Sequence, residues 1–212
     1  MTRLYAILAS VAVLALIGGT AFFTLLGRSD DPFAPCRDGA VAGAAAIGGP
    51  FELVSETGET VTEAEVLDRP ALVYFGYTFC PDVCPFDAAR NAEAVDLLAE
   101  DGFDVRPVFI SVDPERDTPA VLAEFTDYMH PDMVGLTGSP EQVRAATQAY
   151  RVYFSRRGED PETYLMDHSV FTYLMLPEEG FIDIFRGAPG AAGSGVTAQE
   201  VAERTSCYLR QV

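Results

Sequence analysis

The 212-residue sequence predicts an α/β domain, a central mixed sheet with helices on both faces, preceded by one N-terminal transmembrane helix. Three observations lead there. An uncharged apolar run from Leu4 to Leu26 has about the length a helix needs to cross a bilayer. Two short apolar runs, "ALVYFGYT" and "RPVFISVD", flank a segment of helical periodicity, "AARNAEAVDLLAE". A crossover of that length joins parallel strands with right-handed sense. Near the C-terminus, "VFTYLMLPEEGFIDIFRG" reads as two strands hinged at Pro177–Gly180, which adds an antiparallel pair.

The apolar run is read as an uncleaved anchor, residues 1–28. A cleaved signal peptide is the competing reading, with Gly19, Thr20 and Ala21 as its small-residue site. The run, however, continues through Phe22, Phe23, Leu25 and Leu26. Arg3 lies on one side of it, and Arg28, Asp30 and Asp31 on the other, so flanking charge orients it only weakly. A short tail before the span and a whole domain after it imply an exported domain. No Arg- and Ser-rich leader precedes the span, which points to a bacterial inner membrane with the domain in the periplasm. Residues 29–50, rich in Gly, Ala and Pro, read as a flexible tether to a domain at 51–212. Fourteen Lys+Arg against 32 Asp+Glu give a net charge of −18. Such a surface repels phosphate backbones, so no nucleic-acid partner is expected.

The domain opens with "FELVSETGETVT", an alternating hairpin turning at Thr57-Gly58. After the first strand, Ala88, Ala92, Val95 and Leu98 share one helical face. "DTPAVLAEFTDYM" carries Pro119 in its first turn and an apolar stripe of Val121, Leu122, Phe125 and Met129. "MVGLTG" reads as a short strand. "SPEQVRAATQAY" opens with a capping box, Ser139 and Gln142, and Pro140 at the first helical position. A second box, Thr197 and Glu200, starts the last helix, whose apolar face holds Val201, Thr205 and Tyr208. A hairpin, a βαβ unit, helices, a second hairpin and a closing helix make the layout of thioredoxin-like folds.

Cys80 and Cys84 lie just beyond the C-terminal end of the first parallel strand, the edge where open α/β sheets bind ligands. Asp82 is placed to cap the following helix, with Val83, Cys84 and Pro85 in its first turn. Thiols at i and i+4 face one way, and the helix N-terminus should lower both pKa values. A thiolate is at once a metal ligand and a redox nucleophile, so a metal centre, a redox pair and a plain structural disulfide all stay open. Of the two histidines, His130 ends a helix and is read as a dipole partner. His168 precedes a strand. If that strand runs antiparallel to the first, His168 starts at the sheet edge of the thiols; otherwise it merely caps a loop. Asp167 and Asp82 are candidates to orient the imidazole. Two thiolates and an imidazole suit Cu(I), with zinc possible, and three ligands leave an open position.

"YFGYTFCPDVCP", "SVDPERDTP" and "DHSVFTYLM", in that order, resemble the Sco/SenC family of thioredoxin-like copper-binding proteins, over about residues 51–209. The resemblance implies one copper, as Cu(I) or Cu(II), on Cys80, Cys84 and His168, with Asp82 tuning the site. Asp113, in the loop after the second parallel strand, is a further candidate to support it. The resemblance also implies a single N-terminal span and a role in assembling the dinuclear copper centre of cytochrome c oxidase subunit II, by direct delivery or through another copper carrier. A thiol–disulfide oxidoreductase acting on the cysteines of that subunit is the alternative, with Cys80 and Cys84 as its redox pair. A peroxidatic site is disfavoured, because no arginine adjoins Cys80 in sequence. Cys36 and Cys207 fall outside every motif. They are read as a disulfide between tether and last helix, or as two free thiols.

Overall fold

The computed structural model describes residues 5, 10, 11, 13–20, 22, 31–37, 39, 46–188 and 195–212. Within the Leu4–Leu26 run, Tyr5, Ser10, Val11, 13–20 and Phe22 are helical and exposed; the rest of the expected span lies outside the described residues. Among the described residues, no helix is long and apolar enough to cross a membrane. Met1–Cys36 forms one unit, in which Ala34–Cys36 make a single 3-10 turn and the Phe33 amide donates to the Asp31 carboxylate at 3.0 Å.

The second unit, Arg37–Arg210, holds the sheet. Its strands are β1 (Glu52–Ser55), β2 (Thr60–Thr62), β3 (Ala71–Gly76), β4 (Arg106–Ser111), β5 (Val134–Thr137), β6 (Phe154–Arg157), β7 (Leu165–His168), β8 (Phe171–Leu176) and β9 (Gly180–Arg186). Its helices are α1 (Glu63–Val66), α2 (Val83–Glu100), α3 (Pro119–Met129), α4 (Pro140–Ala149) and α5 (Ala198–Leu209). The main sheet runs β2-β1-β5-β4-β3-β8-β9, and β6 and β7 pair apart from it. β3, β4 and β5 are mutually parallel, while β8 lies antiparallel on the other side of β3. The sheet is therefore mixed, as expected.

Strand β3 is buried throughout, as befits a central strand covered on both faces. Its alternation sorts the helices. Tyr74 packs on Phe109, and Phe109 on Phe125 of α3 at 4.7 Å. Cys84 and Asp87 of α2 also act on Tyr74, so α2 and α3 share that face. α5 packs on α2 and joins them. Phe75 points the opposite way, onto Tyr150 at the end of α4, and Tyr150 meets Tyr173 and Phe51. Gly76 lets this edge close up, because a Cβ there would stand 2.8 Å from the Tyr74 ring and 3.0 Å from that of Phe109.

Both capping boxes form. Three readings change. Val121 is exposed, and the buried stripe of α3 is Leu122 and Thr126, with Phe125 and Met129 partly buried; a polar Thr126 takes the place the apolar pattern gave to Val121. Asp82 stands at the N-cap of α2 with no side-chain capping bond, since its backbone (φ −134°, ψ −95°) lies outside the extended region that aims a cap inward. The α1 turn and the β6–β7 hairpin were not anticipated. Their strands are short and polar and carry too little alternation to read.

Candidate metal centre

β3 ends at Gly76, opposite Ser111 of β4, so the loops that follow both strands leave one edge of the sheet. The first loop, 77–82, delivers Cys80; the first turn of α2 delivers Cys84. β8 enters the same edge from the other direction, with Thr172 opposite Tyr74. His168 closes β7, three residues before β8 begins. Antiparallel pairing thus brings His168 to the thiols, as the topology argument requires. Ligand atoms of Cys80, Cys84 and His168 lie within 4.8 Å of one another. The His168 Nε2 is 3.2 Å from the Cys84 sulfur.

The histidine is held on three sides. Its Nδ1 lies 3.0 Å from the Ser169 carbonyl oxygen, which can only accept, so Nδ1 carries a proton and Nε2 is the nitrogen that faces the sulfurs. The rings of Tyr74 and Tyr77 meet the imidazole edge-on, at 6.2 and 5.8 Å between centroids. A backbone carbonyl therefore does the orienting that was assigned to carboxylates. Asp167 points to solvent beside Arg157 at 3.6 Å, and the Asp82 side chain is exposed. What Asp82 contributes is its backbone N–H, which donates to the Cys80 sulfur.

The two thiols are not equivalent. Cys80, half-buried, accepts from the Cys84 thiol, from His168, and from the amides of Cys84 (3.4 Å) and Asp82; together these pull its pKa down to about 3. Cys84 is fully buried. Desolvation, with the adjacent Cys80 thiolate, pushes its pKa far up. The expectation that both are lowered thus holds for Cys80 alone, because burial outweighs the helix N-terminus at Cys84. Both cysteines are free; Cys36 and Cys207 are not.

Beneath the thiols is a polar layer that the sequence did not disclose. Asp87, one turn after Cys84, accepts from the Ala188 amide. Arg90 donates to the Arg186 carbonyl at 2.7 Å and to the Thr172 hydroxyl at 2.8 Å, and Asn91 reaches the same hydroxyl at 3.0 Å. Burial raises the Asp87 pKa, against the pull of Arg90. In helical periodicity these polar residues read as a solvent face. Thr172 of β8, Arg186 at the end of β9, and Ala188 and Val196 beyond it meet them there, and all three are buried. Asp113, expected near the site, is buried and bonded to the Tyr164 hydroxyl at 2.6 Å and to Arg116 Nε at 2.7 Å. His130 lies elsewhere, 3.2 Å from Asp96.

Comparison with known proteins agrees with this geometry. A family model described as SCO1/SenC matches residues 39–203. Protein SenC of Rhodobacter capsulatus is 52% identical over 204 residues, 96% of this chain and 89% of that protein. The crystal structure of Arabidopsis thaliana ScoI with copper bound superposes with a TM-score of 0.72 at 40% identity, covering 79% of this chain and 100% of that one. The structure of Bradyrhizobium japonicum ScoI with copper bound gives 0.66 at 34% identity, with coverage of 79% and 100%. With its fold, its Cys80–Cys84–His168 cluster and this extent of similarity, the chain belongs to the SCO1/SenC family.

Proposed function

We propose that the chain is a membrane-anchored copper metallochaperone. It binds one copper per monomer, Cu(I) or Cu(II), through Cys80, Cys84 and His168, and assists assembly of the dinuclear copper centre of cytochrome c oxidase subunit II. Copper here is cargo. The observation that carries the reading is the convergence of two sulfurs and one imidazole within 4.8 Å in a chain whose similar structures include ScoI proteins solved with copper bound. Two soft thiolates favour Cu(I), and the imidazole extends the set to Cu(II). Cys80 enters as a thiolate; Cys84 must give up its proton when metal arrives, so loading releases a proton. Three ligands leave room for an acceptor's ligand to enter before a donor ligand leaves. The acceptor is subunit II itself or another copper carrier.

The Leu4–Leu26 run would anchor the chain in a bacterial inner membrane, residues 29–50 would tether it, and 51–212 would work in the periplasm. Copper titration of the reduced chain in detergent tests the cargo. One copper per chain is expected. In His168→Ala, Cu(II) affinity should fall by at least about tenfold while Cu(I) affinity changes little. Unchanged affinity for both ions would remove His168 from the site.

The unequal thiols favour a second reading, thiol–disulfide exchange. The Cys80 thiolate would attack a disulfide of the oxidase subunit, forming a mixed disulfide and expelling one partner thiolate. Cys84 would then lose its proton and displace the second partner thiolate, leaving the subunit reduced and Cys80–Cys84 oxidised. A His168 variant that assembles oxidase as well as the parent would favour this reading over delivery.

A further inference from the structure

The segment after β4, Asp113–Asp117, supplies two buried carboxylates, and each grips a different half of the ligand set. Asp117 is fully buried. It accepts from the Thr78 amide at 3.1 Å, from the Thr78 hydroxyl at 2.5 Å and from the Ser111 hydroxyl at 2.5 Å. Thr78 stands two residues before Cys80. Asp113 is nearly as deep and accepts from the Tyr164 hydroxyl at 2.6 Å. Tyr164 stands four residues before His168, at the entrance to β7. Ser111 couples the two, since its hydroxyl donates to Asp117 and accepts from the Asp113 amide at 2.9 Å. Arg116 spans both sides as well. Its guanidinium lies 3.6 Å from the Tyr164 ring centroid and 4.5 Å from that of Phe79, the neighbour of Cys80. Asp113 holds that guanidinium in turn, through Arg116 Nε at 2.7 Å.

Buried carboxylates are costly, and apolar side chains could fill the same space at lower cost. What these two join are the segments that bring Cys80 and His168 together from positions 88 residues apart in sequence. We propose that the Asp113–Asp117 segment is a bracket that sets the spacing between the Cys80 loop and the His168 hairpin, with Asp113, Asp117, Thr78 and Tyr164 as positioning residues for copper capture. The proposal rests on the three-ligand reading of the site. A bracket of this kind keeps the ligands near binding geometry before metal arrives, so less ordering is charged against affinity.

Three variants of the full-length, detergent-solubilised chain test it: Tyr164→Phe, Thr78→Val and Thr78→Ser. Cu(I) and Cu(II) affinities are measured by competition, the Cu(II) forms are examined by EPR, and the His168 imidazole is followed by NMR in the reduced, copper-free chain. Tyr164→Phe loses one hydroxyl on the histidine side. Its Cu(II) affinity should fall about tenfold with an altered EPR spectrum, Cu(I) affinity should hold, and the imidazole signal should broaden or split. Thr78→Val acts on the thiol side and should weaken both ions about tenfold; Thr78→Ser should restore them. Parental affinities and an unchanged imidazole signal in Tyr164→Phe and Thr78→Val would overturn the bracket, as would a loss that Thr78→Ser fails to restore. If the parent itself took up no copper, the copper reading would fall, and the imidazole signal of the copper-free variants would still decide the bracket.

Discussion

Cys80 and Cys84 are four residues apart in one turn, yet their surroundings drive them in opposite directions. Hydrogen bonds from Cys84, His168 and two amides hold Cys80 as a thiolate with a pKa of about 3, while burial keeps Cys84 protonated. In the reduced, copper-free chain, ultraviolet thiolate absorbance should therefore report one ionised thiol at neutral pH, titrating only in strong acid. Alkylation should modify Cys80 well before Cys84. Two thiols titrating together near their ordinary value would contradict the asymmetry. Because the folded value lies below the unfolded value near 9, the thiolate's contribution to stability is complete above that pH and is lost as the pH falls towards 3. At this scale the grouping of Cys80, Cys84 and His168 was legible in the sequence: the cysteines from their place between strand and helix, His168 from the strand that follows it. Their supporting partners were not. The Ser169 carbonyl that orients His168 is a backbone group, invisible in any pattern of side chains. Thr78, Asp117 and Tyr164 meet only once three separate segments are folded together.

Among elements, α2 carries the largest departure from pattern. Its predicted stripe of Ala88, Ala92, Val95 and Leu98 is buried, but so are Asp87, Arg90 and Asn91. Periodicity assigns those three to solvent, because it counts one apolar face and cannot see that β8, the end of β9 and the segment beyond it meet a second. The Arg90 guanidinium replaces water for two carbonyls and a hydroxyl, and it lies 3.8 Å from the buried Asp87. Arg90→Met should therefore cost about 3–5 kcal/mol in urea unfolding, since it strands a buried carboxylate. A loss of under about 1 kcal/mol would mean that the layer beneath the thiols is already hydrated. The β6–β7 hairpin escaped for a different reason. Its strands pair only with each other, half-exposed, so no hydrophobic face marks them, although β7 is the element that ends in His168.

For the whole molecule, the mixed sheet and the placement of helices on both faces followed from a few apolar runs and two capping boxes. Strand order did not, because the β-runs of the main sheet are short and only pairing distinguishes centre from edge. The sheet's arithmetic explains the site: parallel β3 and β4 end at one edge, antiparallel β8 begins there, and the chemistry collects where the three meet. The net charge of −18 enters none of these contacts. The remaining cysteines carry a prediction at this scale. Cys36 and Cys207 should form one disulfide linking tether and last helix, so alkylation without reductant should leave both unlabelled by mass; labelling of both would dismiss the link. The central claim is a three-ligand copper site, and X-ray absorption at the copper edge of the Cu(I)-loaded chain tests it most directly. The account predicts two sulfurs and one imidazole nitrogen around one copper, with the nitrogen lost in His168→Ala. A two-sulfur shell identical in parent and variant would contradict it.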